Sequence, residues 1–275
     1  MNLASLGYRT DLALLRLGGT SVEDRGDHLV VRSPHNPTHW WGNFLLLDRV
    51  PTHGGSEQWL GRFSAAFPDA THMAFGFDGT SGSVDDLGWF AGRGFNAEAQ
   101  TVMTAADVLE PVRHNTDAGY RRLGSDDDWS QSIDLRLRCH EPPPEPGAYC
   151  SYVVARAQTN RGLVEAGYGA WFGAFIDGRL VSQMGLFSAG RELARFQSVE
   201  TDPDHRRKGL AGSLVHHASC YGFEELRAKT LVMVADPNYV AVDLYRAVGF
   251  VATEAQLQIE RAPSPRPEEP EDING

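Results

Sequence analysis

The stretch LARFQSVET-DPDH-RRKGLA-GSLV, Leu193 to Val215, decides the fold. Leu193 to Thr201 begins as a strand and breaks at Asp202-Pro203-Asp204-His205. Arg206-Arg207-Lys208-Gly209-Leu210-Ala211 then leads into a helix through Gly212-Ser213-Leu214-Val215. A strand, a basic glycine loop and a helix start make an anion site. Small residues let the backbone approach a ligand, and the unpaired N–H groups of the first helical turn point at it. The cations beside the loop add charge complementarity. Taken alone, the same residues also fit a plain strand-to-helix turn with solvated side chains.

Around this stretch the chain is ordinary and globular. Its 275 residues suit one large domain or two smaller ones, and 41% hydrophobic content supplies a core. A net charge of −11 argues against a general nucleic-acid binder and leans weakly toward cationic small substrates. Cys139, Cys150 and Cys220 show no metal-ligand spacing, so reduced structural thiols in a cytoplasmic protein are expected. The scattered His35, His39, His53 and His72 and the adjacent His216-His217 give no metal pattern. No signal peptide is visible, and no apolar run approaches the ~20 residues of a membrane span.

In chain order, periodicity predicts a helix at 11–17 and strands at 28–32 and 40–50. A helix capped by Ser56 follows to 67, then a strand at 71–77, a helix at 84–93 and a strand at 95–104. After a connector comes a strand at 119–123. Ser125 and Asp128 then read as a capping box for a helix to about Arg138. A stiff loop at 141–147 precedes a helix at 149–164. Strands at 171–176 and 180–187 join through Asp177-Gly178, a hairpin signal. Beyond the opening stretch, whose helix extends to Leu226, come a strand at 230–235, a helix at 240–248 and a strand at 250–259. The last stretch, rich in Pro and Glu, reads as disordered.

The chain also repeats itself. Gly94-Phe95-Asn96-Ala97-Glu98-Ala99-Gln100 matches Gly249-Phe250-Val251-Ala252-Thr253-Glu254-Ala255-Gln256 with one insertion. Each copy follows a short helix and begins a strand, so two related α/β halves are expected.

The second half resembles the GNAT superfamily of acyl-CoA-dependent N-acetyltransferases. Arg206-Arg207-Lys208-Gly209-Leu210-Ala211 satisfies that family's Gln/Arg-x-x-Gly-x-Gly/Ala loop, and Pro203 stands at the usual place before it. Asn238, Leu244-Tyr245 and Gly249-Phe250 follow in the family's order. Walker and dinucleotide loops fit less well, because Lys208 precedes Gly209 and Gly212 lacks its partners. The resemblance implies an α/β fold with mixed sheets. Two GNAT-like domains would stand in tandem: residues 1–112 as a degenerate, non-catalytic copy and residues 117–261 as the catalytic one. Residues 262–275 would be a disordered acidic tail.

The resemblance further implies acetyl-CoA as co-substrate, no metal, and a small-molecule amine acceptor, with neither nucleic acid nor membrane as partner. Backbone N–H groups from Arg207 to Gly212 would hold the CoA pyrophosphate, with Arg206 and Lys208 adding charge. Val199 and Thr201 would pair with the pantetheine amides, and Asn238 would bond the pantetheine arm. Tyr245 would be the general acid: a phenol of pKa about 10 can protonate a thiolate of pKa roughly 8–9. Glu200 is the candidate base, ahead of Glu165 and Gln183, although alternation sets it opposite Val199 and Thr201. Trp40, Trp41 and Phe44 read as core, with an acceptor-pocket wall as the other role. In the first half the place of Tyr245 is taken by Phe90, which has no proton to give, and Pro51 to Ser56 lacks the cations. A non-catalytic acyl-CoA-binding module and a protein-directed acyltransferase are the competing functions.

Overall fold

The computed structural model describes residues 1–52, 55–140, 146–238 and 241–262. The tail beyond Ala262, most of the 141–147 loop and the start of the expected 240–248 helix lie outside them. The first half runs α1 (Leu6–Leu17), β1 (Ser21–Asp24), β2 (His28–Arg32), β3 (Phe44–Leu47), α2 (Ser56–Ala66), β4 (Met73–Phe77), α3 (Gly88–Ala91) and β5 (Asn96–Ala105). The second runs β6 (Gly119–Arg122), α4 (Asp126–Cys139), α5 (Pro146–Glu165), β7 (Gly169–Ile176), β8 (Arg179–Ser188), β9 (Leu193–Thr201), α6 (Leu210–Glu224), β10 (Thr230–Ala235), α7 (Ala241–Ala247) and β11 (Val251–Arg261).

All eleven described strands form one mixed sheet, ordered β1-β2-β3-β4-β11-β5-β10-β9-β8-β7-β6. The halves exchange their last strands: β11 lies antiparallel against β4, and β5 lies antiparallel against β10. The two copies of the repeat therefore sit side by side. The aligned residues Gln100 and Gln256 face each other directly, at the centre of the β5–β11 ladder. The insertion in the second copy is a β-bulge, with the register slipping at Thr253 between Ala252 and Glu254. Helix α1 spans the exchange. Tyr8, 1% exposed, donates to the Leu257 carbonyl at 2.6 Å, and Asp11 pairs with Arg195 at 2.7 Å.

Local chemistry explains most elements. Ser125 Oγ accepts from the Asp128 N–H, and Asp128 accepts back from the Ser125 N–H, both at 3.1 Å, so the expected box forms. Asp177 and Gly178 take φ of 50° and 80°, which sets the primed turn between β7 and β8.

Other expectations fail for identifiable reasons. The 40–50 strand shrinks to Phe44–Leu47, because Asn43 turns its side chain onto the Asn36 and His39 carbonyls and holds residues 40–42 in a 3-10 turn. Ser56 is the first helical residue rather than the cap, and its hydroxyl donates to the Thr52 carbonyl. The 84–93 helix is a 3-10 turn followed by the four-residue α3. Strand β1 is exposed except at the half-buried Val22, too little alternation to find.

Candidate active site

Strand β9 pairs in parallel with β10 through Leu193, Ala194 and Arg195 alone. From Phe196 to Thr201 that edge parts from β10, and the sheet splits. On its other edge β9 bulges against β8: Gln183 faces Glu200 and Gly185 faces Gln197, leaving Ser198 and Val199 opposite Met184. Ser198 takes φ 47° there, a left-handed conformation that a serine rarely adopts. The bulge also shifts the alternation. Glu200 opposes Gln183, two residues from the Gly185–Gln197 pair, so Glu200 shares a face with Gln197 rather than with Phe196.

The basic loop closes the end of β9. Asp202, 2% exposed, caps the turn and accepts from Arg138 and Arg179, each at 3.1 Å. Burial alone would raise its pKa. The Asp204 N–H, Arg138 and His205 outweigh that and hold it below the ordinary carboxylate range. Gly209 is left-handed at φ 82°, and the Ser213 N–H to Gly209 carbonyl bond starts α6. The N–H groups of Leu210, Ala211 and Gly212 therefore have no intrahelical acceptor. The cations sit further out than expected. Arg206 bends back to the Thr201 carbonyl at 3.2 Å, Lys208 reaches the Asp204 carbonyl at 3.0 Å, and Arg207 is exposed at φ 62°.

Gly209 has a reason beyond any ligand: a Cβ there would stand 2.5 Å from the Arg113 carbonyl. The connector between the halves is pinned onto this loop, with the Asn115 side-chain amide donating to the Lys208 carbonyl at 2.8 Å. Its N–H bonds the Ser213 hydroxyl at 3.0 Å.

Tyr245, 5% exposed, lies on α7 within the core shared with α6, β9 and β10. Its ring meets Phe250 at 6.5 Å. Asn238 is exposed in the turn after β10, where its N–H caps the Asp236 carboxylate at 2.9 Å.

On the opposite face, α4 and α5 cover the bulge. Glu200, 8% exposed, accepts from Arg136, from Gln183 at 2.8 Å and from His140 Nε2 at 3.3 Å. Gln183 is itself locked by Ser132 and Trp171, and Glu165 is exposed and bonded to Arg161. Burial would lower the Arg136 pKa; the Glu200 charge wins and holds it above its ordinary value. Arg136, His140, Tyr149, Tyr152 and Arg156 were absent from the sequence reading. Their signal is spatial: they lie far from β9 in the chain and meet Glu200 and Gln197 only across the helix layer. Trp41 donates to Glu260 at 2.8 Å, while Trp40 stacks on His72 at 5.4 Å. Among the described residues no cluster of His, Cys, Asp and Glu could hold a metal, and no helix could cross a membrane.

Residues 133–250 match the acetyltransferase (GNAT) family, so the second half of the chain carries a GNAT-type domain. It is similar to a streptothricin acetyltransferase from Escherichia coli, 32% identical over 81 residues. That match covers 30% of this chain and 47% of the relative, so the chain spans about half the length of the curated relative it matches. In fold it is similar to a GCN5-related N-acetyltransferase from Kribbella flavida, with a TM-score of 0.63, 14% identity, and 95% and 98% of the two chains covered. It is similar too to a tandem GNAT protein from the clavulanic acid biosynthesis pathway, with a TM-score of 0.52, 14% identity, and 92% and 89% covered.

Proposed function

We propose that the protein transfers an acetyl group from acetyl-CoA to a small amine, at one site, in the second half. The observation that carries this reading is the split between β9 and β10, with the Gly209 loop at its mouth and Tyr245 beside it. Acetyl-CoA supplies the acetyl thioester. The N–H groups from Arg207 to Gly212 hold its pyrophosphate at the positive end of α6, with Arg206 and Lys208 as flanking charge. The free β9 edge at Val199 and Thr201 pairs with the pantetheine amides, and Asn238 bonds the same arm. A strand N–H near Val199 faces the oxygen of the attacked carbonyl.

In the reaction the amine nitrogen bonds the acetyl carbon and the carbon–sulfur bond breaks. The sulfur takes a proton from Tyr245 and the amine gives one up. On the acceptor side, Glu200 is already saturated by Arg136 and Gln183, so it suits orienting better than proton uptake. His140, half-exposed and tied to Glu200 through Nε2, keeps Nδ1 for the amine proton. The first half serves as the wall of the acceptor cleft: Asn36 donates to the Tyr152 carbonyl at 3.4 Å, and the His39 ring lies 5.4 Å from Tyr152. In this reading residues 1–112 are non-catalytic and 117–261 carry the chemistry, in the cytoplasm with reduced thiols. The relative's name, streptothricin acetyltransferase, supports acetyl as the group moved.

Thiol release from acetyl-CoA with a panel of amines tests the reading. Tyr245→Phe should cut kcat by about 10²–10⁴-fold while the Kd for acetyl-CoA stays. Acetyl-CoA binding without thiol release for any amine would favour a non-catalytic module instead.

A further inference from the structure

The overall charge is −11, yet the face of β9 beneath α5 is rich in unanswered donors. Arg136, Arg156 and Arg195 converge there with two carboxylates. Arg136 takes Glu200 and Arg195 takes Asp11. Arg156 is left over. Its Nη2 donates to Gln197 Oε1 at 2.8 Å, and among the described residues no carboxylate comes within ion-pair distance. Burial pulls its pKa below the usual guanidinium range; the like charge of Arg136 adds to this, while Tyr152 and the more distant Asp11 carboxylate oppose it. The same two arginines, after burial, keep His39 neutral from the first-half side. Two buried donors of the neighbouring arginines have no partner among the described residues: Arg136 Nε and Arg195 Nη1.

Buried donors are ordinarily bonded, so the open Arg136 Nε beside the half-buried Arg156 guanidinium suits an acceptor group. Its position is defined. Gln197 directly precedes the bulge, and Arg136 Nη1 also lies 3.4 Å from Ser198 Oγ, where β9 has parted from β10. Planar guanidiniums offer forked donors matched to a carboxylate.

We propose that Arg156 and Arg136 form a carboxylate subsite beside the β9 bulge, so that one of the two reactants carries a carboxylate. This rests on the acetyl-transfer reading for its place in the reaction. The carboxylate belongs either to the acceptor, an amino-acid-like amine, or to the acyl group, a dicarboxylic one. Both present the same chemistry to the two arginines.

The full chain is tested in two ways. Turnover is compared for matched acceptors with and without a carboxylate, such as histidine against histamine and phenylalanine against phenethylamine, using acetyl-CoA. Succinyl-CoA is then set against acetyl-CoA with the decarboxylated amines. One arm should show a preference for the carboxylate of about tenfold or more in kcat/KM, and Arg156→Met should erase it through KM with kcat little changed. Separately, calorimetry with CoA present measures N-acetylglycine and succinate against N-methylacetamide. A carboxylate should bind and be weakened about tenfold by Arg156→Met. The melting temperature of Arg156→Met should hold or rise, since a half-buried cation with no bonded carboxylate is removed; a purely structural arginine would lower it. If neither carboxylate binds the wild type, or Arg156→Met leaves binding unchanged, the subsite is overturned whatever the turnover. If carboxylate binding depends on Arg156 but no amine is acylated, the subsite stands and the acetyl-transfer reading fails.

Discussion

The two halves share a frame and differ in how β3 and β9 meet their parallel partners, β4 and β10. In the first half β3 stays bonded to β4 through Leu45, Leu46 and Leu47, and the Asp78 N–H to Leu47 carbonyl bond at 2.8 Å closes the end. In the second, β9 leaves β10 after Arg195 and runs on alone to Thr201. The closing helix and strand are preserved in both. Phe90 meets Phe95 at 5.8 Å where Tyr245 meets Phe250 at 6.5 Å, and the Phe95 and Phe250 N–H groups bond the Phe90 and Tyr245 carbonyls. The apolar contacts of the closing helix and strand are kept in both halves, while the first-half strand pair is closed and Phe90 stands where the second half has Tyr245.

The largest effect should come from breaking the exchange that joins the halves. Ending the chain at Phe250 removes β11, which fills the space between β4 and β5 and buries Leu257 and Ile259. No soluble, cooperatively melting protein is expected, and a two-state melt with near-native ellipticity would show the halves to be independent. Next comes the pH response of the layer that only the second half possesses. Asp128 is held below the usual carboxylate pKa first by Arg121, against burial, and then by the Gly124 and Ser125 N–H groups. A depressed folded pKa gives stability that is whole above the unfolded value of about 3.9 and is lost as the pH falls through the folded one. Asp128→Asn should cost about 2 kcal/mol at neutral pH and flatten the acid side of the denaturation profile. A comparable or smaller loss, about 1–2 kcal/mol, is expected for Phe90→Tyr, which puts a hydroxyl among Phe75, Phe77 and Phe95. Acetylation rates of that variant should equal the wild type, because the closed β3–β4 pair admits no thioester.

Much of this comparison could be read from the chain. The repeat, the Ser125 box, the Asp177-Gly178 turn and the order from Gly209 to Gly249 are local patterns, and local geometry obeys them. The strand exchange could not be read, because β5 and β11 carry the same alternation whichever half receives them. The face of Glu200 was hidden by the bulge at Ser198: counting by two fails where one strand holds an extra residue. The cluster of Arg136, His140, Tyr152 and Arg156 around Glu200 and Gln197 is hidden for another reason. Its members come from α4, the residue after it and α5, and folding alone brings them to β9.

The central claim is that acetyl-CoA has one home, at the split of the second half. Titration calorimetry with acetyl-CoA on paired variants addresses it. Gly55 belongs to the first-half loop and has no close neighbour for a Cβ, whereas Gly209 is left-handed and pressed on Arg113. One site per chain is expected for the wild type and for Gly55→Asp, and none for Gly209→Asp. An Arg206→Glu, Lys208→Glu variant, altered only at exposed side chains, should bind more weakly by at least about tenfold without loss of fold. Two sites in the wild type, or a single site lost with Gly55→Asp and kept with Gly209→Asp, would contradict the account.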